Sequence, residues 1–220
     1  MNVYIISGLG ADKRAFQNIK LPDFCVIKHV EWLIPIQNES LTDYSLRMAE
    51  DIDTKAPFVL IGLSFGGIIV TELSKILNPV KSIIISSIST RKQLPWYFKA
   101  IGMLGLHKII PTQLFKMPNP LSNWLFGIKT KEEKDLLLQI LKDIDKKYLR
   151  WSINEILTWK NNSKPKVLFH IHGTMDNMLP IRYIKPDIRI DGGRHLMLIS
   201  MADIINEILE SELMKIKNNL

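Results

Sequence analysis

Apolar residues in this chain fall in short, nearly unbroken runs and not in alternation with polar ones. Val3 to Ile6, Cys25 to Val30 (broken by Lys28 and His29), Phe58 to Leu63, Ile83 to Ile85, Val167 to Ile171 and Ile188 to Ile190 are rich in β-branched side chains. A strand with one wet face alternates; an unbroken run needs cover on both faces, as in a parallel sheet between two layers of helix. Helical patterns lie between the runs: residues 43–53, opened by Asp43, residues 65–77 after the third run, and residues 201–212 as a closing amphipathic helix. Strand and helix therefore alternate, which predicts an α/β protein with a mostly parallel sheet of about six strands flanked by helices. The tail from Lys215 to Leu220 reads as a frayed, solvated helix end.

One stretch breaks the alternation. Between the strand ending near Ser87 and the one beginning near Val167, helical patterns and Pro95, Pro111, Pro118 and Pro120 occur without a convincing strand. We read residues 91–160 as a helical cap inserted into a core made of residues 1–90 and 161–220. Charge follows the same division. Residues 91–160 hold 13 Lys and Arg against 6 Asp and Glu, while the rest holds 16 against 16, so the net charge of +7 belongs to the insertion. A nucleic-acid binder does not usually segregate charge in this way, and no nucleic-acid motif accompanies it.

The 220 residues are enough to bury roughly 70% of the unfolded surface without disulfides or metals. The single cysteine, Cys25, is expected to be a small buried hydrophobe in a reducing compartment. No basic leader precedes Val3 and no run of about 18 apolar residues occurs, so a cytoplasmic protein without a transmembrane segment is expected.

The sharpest chemical signal is Gly62-Leu63-Ser64-Phe65-Gly66-Gly67, directly after the run Phe58 to Ile61 and opening the helical pattern of Ile68 to Val70. It matches G-x-S-x-G, in which a serine sits on a sharp strand-to-helix turn and small neighbours let the two elements approach. A serine hydroxyl is a weak nucleophile, so a base must stand beside it and an acid must fix the base's tautomer. The chain order of such sites is Ser, acid, His. Downstream lie His172-Gly173-Thr174-Met175-Asp176 after one run and Asp191-Gly192-Gly193-Arg194-His195 after the last. These place His195 as the base and Asp176 as the acid, with Asp191 in reserve and His172 as a structural residue bonding the turn. His29, His107 and His170 carry no spacing that suggests chemistry, and no clustered ligand set suggests a metal.

At the other end, Ser7-Gly8-Leu9-Gly10 follows the first run and can turn backbone N–H groups inward. The N–H groups of Leu9 and Phe65 are the expected donors to a developing oxyanion, where one donor is worth about 3–4 kcal/mol. The loop is not a phosphate cradle: it lacks a third glycine at dinucleotide spacing and a Gly-Lys-Ser/Thr ending.

Together the Gly8 loop, the turn at Ser64, His172-Gly173-x-x-Asp176 and His195 resemble the α/β-hydrolase superfamily over nearly the whole chain outside the insertion. The resemblance to its small capped members, such as carboxylesterases and carrier-linked methyl esterases, implies ester or thioester hydrolysis through an acyl-enzyme, with no cofactor. Two departures stand out. The usual His-Gly of the oxyanion loop is Ser7-Gly8, and the glycine-rich segment many relatives carry after the second run is Glu31-Trp32-Leu33-Ile34-Pro35. The insertion carries Trp96, Phe98, Phe115, Trp124, Phe126, Trp151 and Trp159 among its lysines, which suits an apolar acyl pocket under a face that attracts an anionic or acyl-carrier-linked substrate. Two other readings stay open: a non-catalytic small-molecule or acyl-carrier binder on the same fold, and a lyase or acyltransferase using the same site.

Overall fold

A computed structural model describes residues 1–110 and 119–219; Pro111, Phe115 and Pro118, named above, lie outside the described residues, as does Leu220. The β-branched runs become strands β1 (Asn2–Ile6), β2 (Val26–Val30), β3 (Phe58–Leu63), β4 (Lys81–Ile85), β5 (Leu168–Gly173) and β6 (Ile188–Ile190). They form one sheet in the order β2-β1-β3-β4-β5-β6, parallel throughout. β1 lies next to the edge strand β2, pairing Ile5 with His29 on one side and with Ile61 on the other.

Successive residues of a strand face opposite sides, so each run feeds two cores. Tyr4, Ile6, Leu60 and Ile84 join α1 (Leu41–Met48) and α2 (Phe65–Leu73) in one apolar cluster. Val3, Ile5, Val59 and Ile83 join helices further along the chain in the other: α8 (Met197–Ser200) and α9 (Ala202–Lys217). Each fully buried isoleucine of β3 and β4 contributes roughly 1.5–3 kcal/mol. The whole of α2 is buried, down to its glycines, which sets it against the sheet behind Ser64.

Between β4 and β5 the chain forms α3 (Trp96–Met103), α4 (Leu106–Ile109), α5 (Pro120–Phe126), α6 (Lys131–Asp143) and α7 (Lys146–Thr158). Side-chain caps start the last three: Asn119 with Ser122, Thr130 with Glu133, and Asp145. The two ends of this segment are tied together. Arg91 donates from Nη1 to the Leu157 and Trp159 carbonyl oxygens, its N–H donates to the Asn161 carbonyl, and Trp159 Nε1–H donates to Glu72 of α2 at 2.8 Å.

Three expectations are corrected. α1 begins at Leu41 because Ser40, not Asp43, is its N-cap: Ser40 Oγ accepts from the Asp43 N–H and donates to the Asp43 carboxylate. β2 lies at the sheet edge with Val26 and Ile27 exposed, so Cys25 is only half-buried. The closing helix, expected over residues 201–212, runs from Ala202 to Lys217, because Leu213 is buried and Glu212 holds both Lys81 and Lys215; the described residues after it are exposed.

Candidate active site

The turn between β3 and α2 is built from its glycines. A Cβ on Gly62 would meet the Gly66 carbonyl, one on Gly66 the carbonyl oxygens of Ile6 and Ser7, and one on Gly67 the Ser87 hydroxyl. With those positions bare, Ser64 adopts φ 51° and ψ −116°, a left-handed conformation that costs a residue with a Cβ about 1–3 kcal/mol. Three hydrogen bonds hold it there. The Ser64 N–H donates to the Ile85 carbonyl (2.9 Å), and its carbonyl accepts from the Gly67 N–H (3.0 Å) and the Ser87 hydroxyl (2.6 Å).

Two loops from the carboxyl ends of β5 and β6 meet beside it. Gly173 and Gly193 pack so closely that a Cβ on Gly173 would strike the Gly193 carbonyl, and the Met175 N–H donates to that same oxygen at 2.8 Å. This contact brings His195 and Asp176 together. His195 Nε2 lies 2.9 Å from Ser64 Oγ, and its Nδ1 lies 2.8 Å from Asp176 Oδ2. His195 and Asp176 are 2% and 3% exposed, so the pair is shielded from water. The other carboxylate oxygen of Asp176 accepts the Leu179 N–H at 2.8 Å. In the tautomer that satisfies all of these bonds, Nδ1–H donates to Asp176 and Nε2 is free to accept from the serine.

The remaining candidates separate cleanly. Asp191 is exposed and accepts from the Thr174 hydroxyl, away from His195. His172 is buried and donates from Nε2 to the Leu179 carbonyl at 2.8 Å, bracing the loop that carries Asp176. Burial pushes the His172 imidazole below its usual range and the His170 imidazole well below it.

On the β1 side, Gly8 lies against Ser64: a Cβ there would sit 3.4 Å from the Ser64 Cβ. Gly10 takes φ +69° with no room for a side chain beneath Ile144. Among the described residues, neither the Leu9 nor the Phe65 N–H donates to a protein acceptor. Sequence reasoning missed what steadies this loop. Trp32 donates from Nε1 to the Ala11 carbonyl (2.8 Å) and stacks on Phe65 with ring centroids 5.4 Å apart and 9° between planes. Its indole is visible in the sequence, but its contact with residue 65 is not. Ser87, at the carboxyl end of β4, was likewise passed over.

Beside the site, Phe126 of α5 and His195 form an edge-to-face pair with ring centroids 5.7 Å apart, and Asn177 donates to the Trp124 carbonyl at 2.8 Å. An open cleft of about 570 Å³ runs between these helices and the Asp176 loop, lined by residues that include Tyr97, Phe98, Leu121, Trp124 and Met175. Asp176 lies on its wall; Ser64 does not. Trp151 and Trp159 turn elsewhere, Trp151 onto Tyr44 and Phe65 and Trp159 onto Glu72. Among the described residues no group of three or more His, Cys, Asp and Glu side chains could hold a metal ion, and no helix is long and apolar enough to cross a membrane.

Neither a family model nor a curated protein matches the sequence. Solved structures match over almost the whole chain. A thermophilic esterase from Thermogutta terrifontis gives a TM-score of 0.70 at 11% identity, covering 98% of this chain and 90% of the other. ClbQ from the colibactin NRPS/PKS pathway gives 0.66 at 13% identity, covering 100% and 99%. An epoxide hydrolase of the α/β-hydrolase superfamily from metagenomes of hot environments gives 0.63 at 14% identity, covering 96% and 90%. With the parallel sheet and the turn at Ser64, these likenesses define the class: the chain has the α/β-hydrolase fold. Among the described residues its sheet has six strands, and helices α3 to α7 lie between β4 and β5.

Proposed function

We propose that the protein is a cofactor-free serine hydrolase that cleaves a carboxylic ester or thioester through an acyl-enzyme. The observation that carries this reading is the hydrogen-bonded row from Ser64 Oγ through His195 to Asp176, with Ser64 held at positive φ on the turn. Ser64 Oγ attacks the acyl carbon while His195 Nε2 takes its proton, and Asp176 stabilises the imidazolium that forms. The N–H groups of Leu9 and Phe65 receive the oxyanion, a role that two donors without protein acceptors can fill. His195 then returns the proton to the leaving alcohol or thiol and activates water, which clears the acyl group from Ser64.

In this reading the helices of residues 91–160 act as the cap. Phe126 excludes water over His195, and the apolar cleft beneath α3 and α5 takes one arm of the substrate. A screen of short- and medium-chain acyl esters and thioesters, run beside Ser64→Ala, tests it. Turnover of some member with release of acid, abolished by the substitution, is the expected result; folded wild type inert across the whole panel would shift the assignment to a binding protein on the same fold.

A further inference from the structure

Helices α3 to α5 carry a surface that extends beyond the cleft. α3, α4 and the turn between them leave Trp96, Met103, Leu104 and Ile109 in solvent, Met103 80% and Ile109 78% exposed. α5 adds Leu121 and Trp124, both exposed and both on the wall of the cleft, to which α3 contributes Tyr97 and Phe98. So many large apolar side chains exposed on one segment mark a contact with something other than water. The sequence that carries them is basic. From Arg91 to Lys131 the sequence holds seven Lys and Arg and neither Asp nor Glu. Lys92, Lys108 and Lys129 are exposed, and among the described residues none of the three forms a salt bridge; the exposed Lys131 beyond them lies beside Glu132.

We propose that this surface docks the protein on an anionic phospholipid membrane, with Trp96, Met103, Leu104 and Ile109 at headgroup depth and the lysines on the phosphates. Tryptophan with aliphatic neighbours and a border of lysine is the composition that settles at a bilayer interface. A patch of exposed lysines outside any salt bridge is drawn to anionic lipid. A second copy of this chain would set the same unpaired lysines face to face, which opposes a symmetric dimer through this surface. An acidic carrier protein would satisfy the lysines and leave the protruding Met103 and Ile109 without an apolar partner. Because the exposed Leu121 and Trp124 flank the cleft, docking turns the cleft towards the bilayer. Only the further step, an acyl chain passing from lipid to Ser64, rests on the hydrolase reading.

Sedimentation of the full chain with vesicles of phosphatidylcholine, alone or mixed with phosphatidylglycerol, tests the proposal. The protein is expected to pellet with the mixed vesicles at least about tenfold more tightly than with phosphatidylcholine, and to be released by salt. Two double variants, Trp96→Ser with Ile109→Ser and Lys92→Glu with Lys108→Glu, are each expected to weaken that binding about tenfold or more. Their melting temperatures and their turnover of a soluble short-chain ester should match wild type. The proposal is overturned by wild type that stays in the supernatant with both vesicles, or by variants that pellet as well as it does. A wild-type dimer that Trp96→Ser with Ile109→Ser disperses, or tight binding of a purified acidic acyl-carrier protein without vesicle binding, overturns it too. Vesicle binding by a protein whose Ser64 takes up no fluorophosphonate would sink the hydrolase reading and leave the docking surface standing.

Discussion

Ser64 shows how much a single position can demand of its neighbours. Its positive φ is held by bonds from Ile85, Gly67 and Ser87, and is permitted only because Gly62, Gly66 and Gly67 carry no Cβ. Gly66→Ala puts a methyl against the Ile6 and Ser7 carbonyl oxygens, with no flexible side chain to move aside. Loss of soluble, folded protein on expression is the expected outcome, checked by circular dichroism against wild type. For the acid, Asp176→Asn should preserve the melting temperature and lower kcat by roughly ten-thousandfold, since an amide cannot hold His195 in the tautomer that accepts the serine proton. Asp191→Asn, aimed at an exposed side chain bonded to Thr174, should leave kcat near wild type. Normal turnover in the first variant and collapse in the second would move the acid's role to Asp191. These residues were legible in the sequence because strand-end motifs announce them. Trp32 and Ser87 were not, because their partners Phe65 and Ser64 are distant in the chain and join them only through the strand order.

At the scale of elements, runs of β-branched residues marked the strands well, since a sheet covered on both faces leaves no polar alternation to confuse them. The same rule misjudged β2: an apolar run also suits an edge strand, and nothing local to Cys25 or Val26 says which position it takes. Helix starts were misplaced where two capping residues competed, as Ser40 and Asp43 do, and the helix end was misplaced where ion pairs to another element, Glu212 to Lys81, extend it. β5 carries a consequence for pH. His170 and His172 are both buried and both depressed below the usual imidazole value, so below about pH 6.5 the unfolded chain binds protons that the folded one refuses. Stability is therefore full above that value and falls as pH drops from it towards the lowered folded values. Urea midpoints measured across this range should decline on acidification, and His170→Phe should flatten the decline; an unchanged slope would contradict the account.

For the molecule as a whole, the helices between β4 and β5 hold Phe126 against His195, and their attachment is testable. Trp159→Phe removes the one indole N–H that meets the buried Glu72 carboxylate and should cost about 1.5–3 kcal/mol in urea unfolding, against an exposed control such as Trp96→Phe near zero. That helices and not strands follow β4 could be read from the prolines and missing strand patterns, and the basic charge from counting. Which aromatics face the site could not be read, because helical period alone does not say which layer a face meets: Phe126 lies over His195, while Trp151 and Trp159 pack on the core. The central claim is that the Ser64, His195 and Asp176 row makes an activated nucleophile. The most direct measurement is reaction of the purified protein with a fluorophosphonate, beside Ser64→Ala, with mass spectrometry to locate the adduct. A single adduct on Ser64, absent from the variant, is the expected result; folded wild type that takes up no probe, or takes it elsewhere, would contradict the claim.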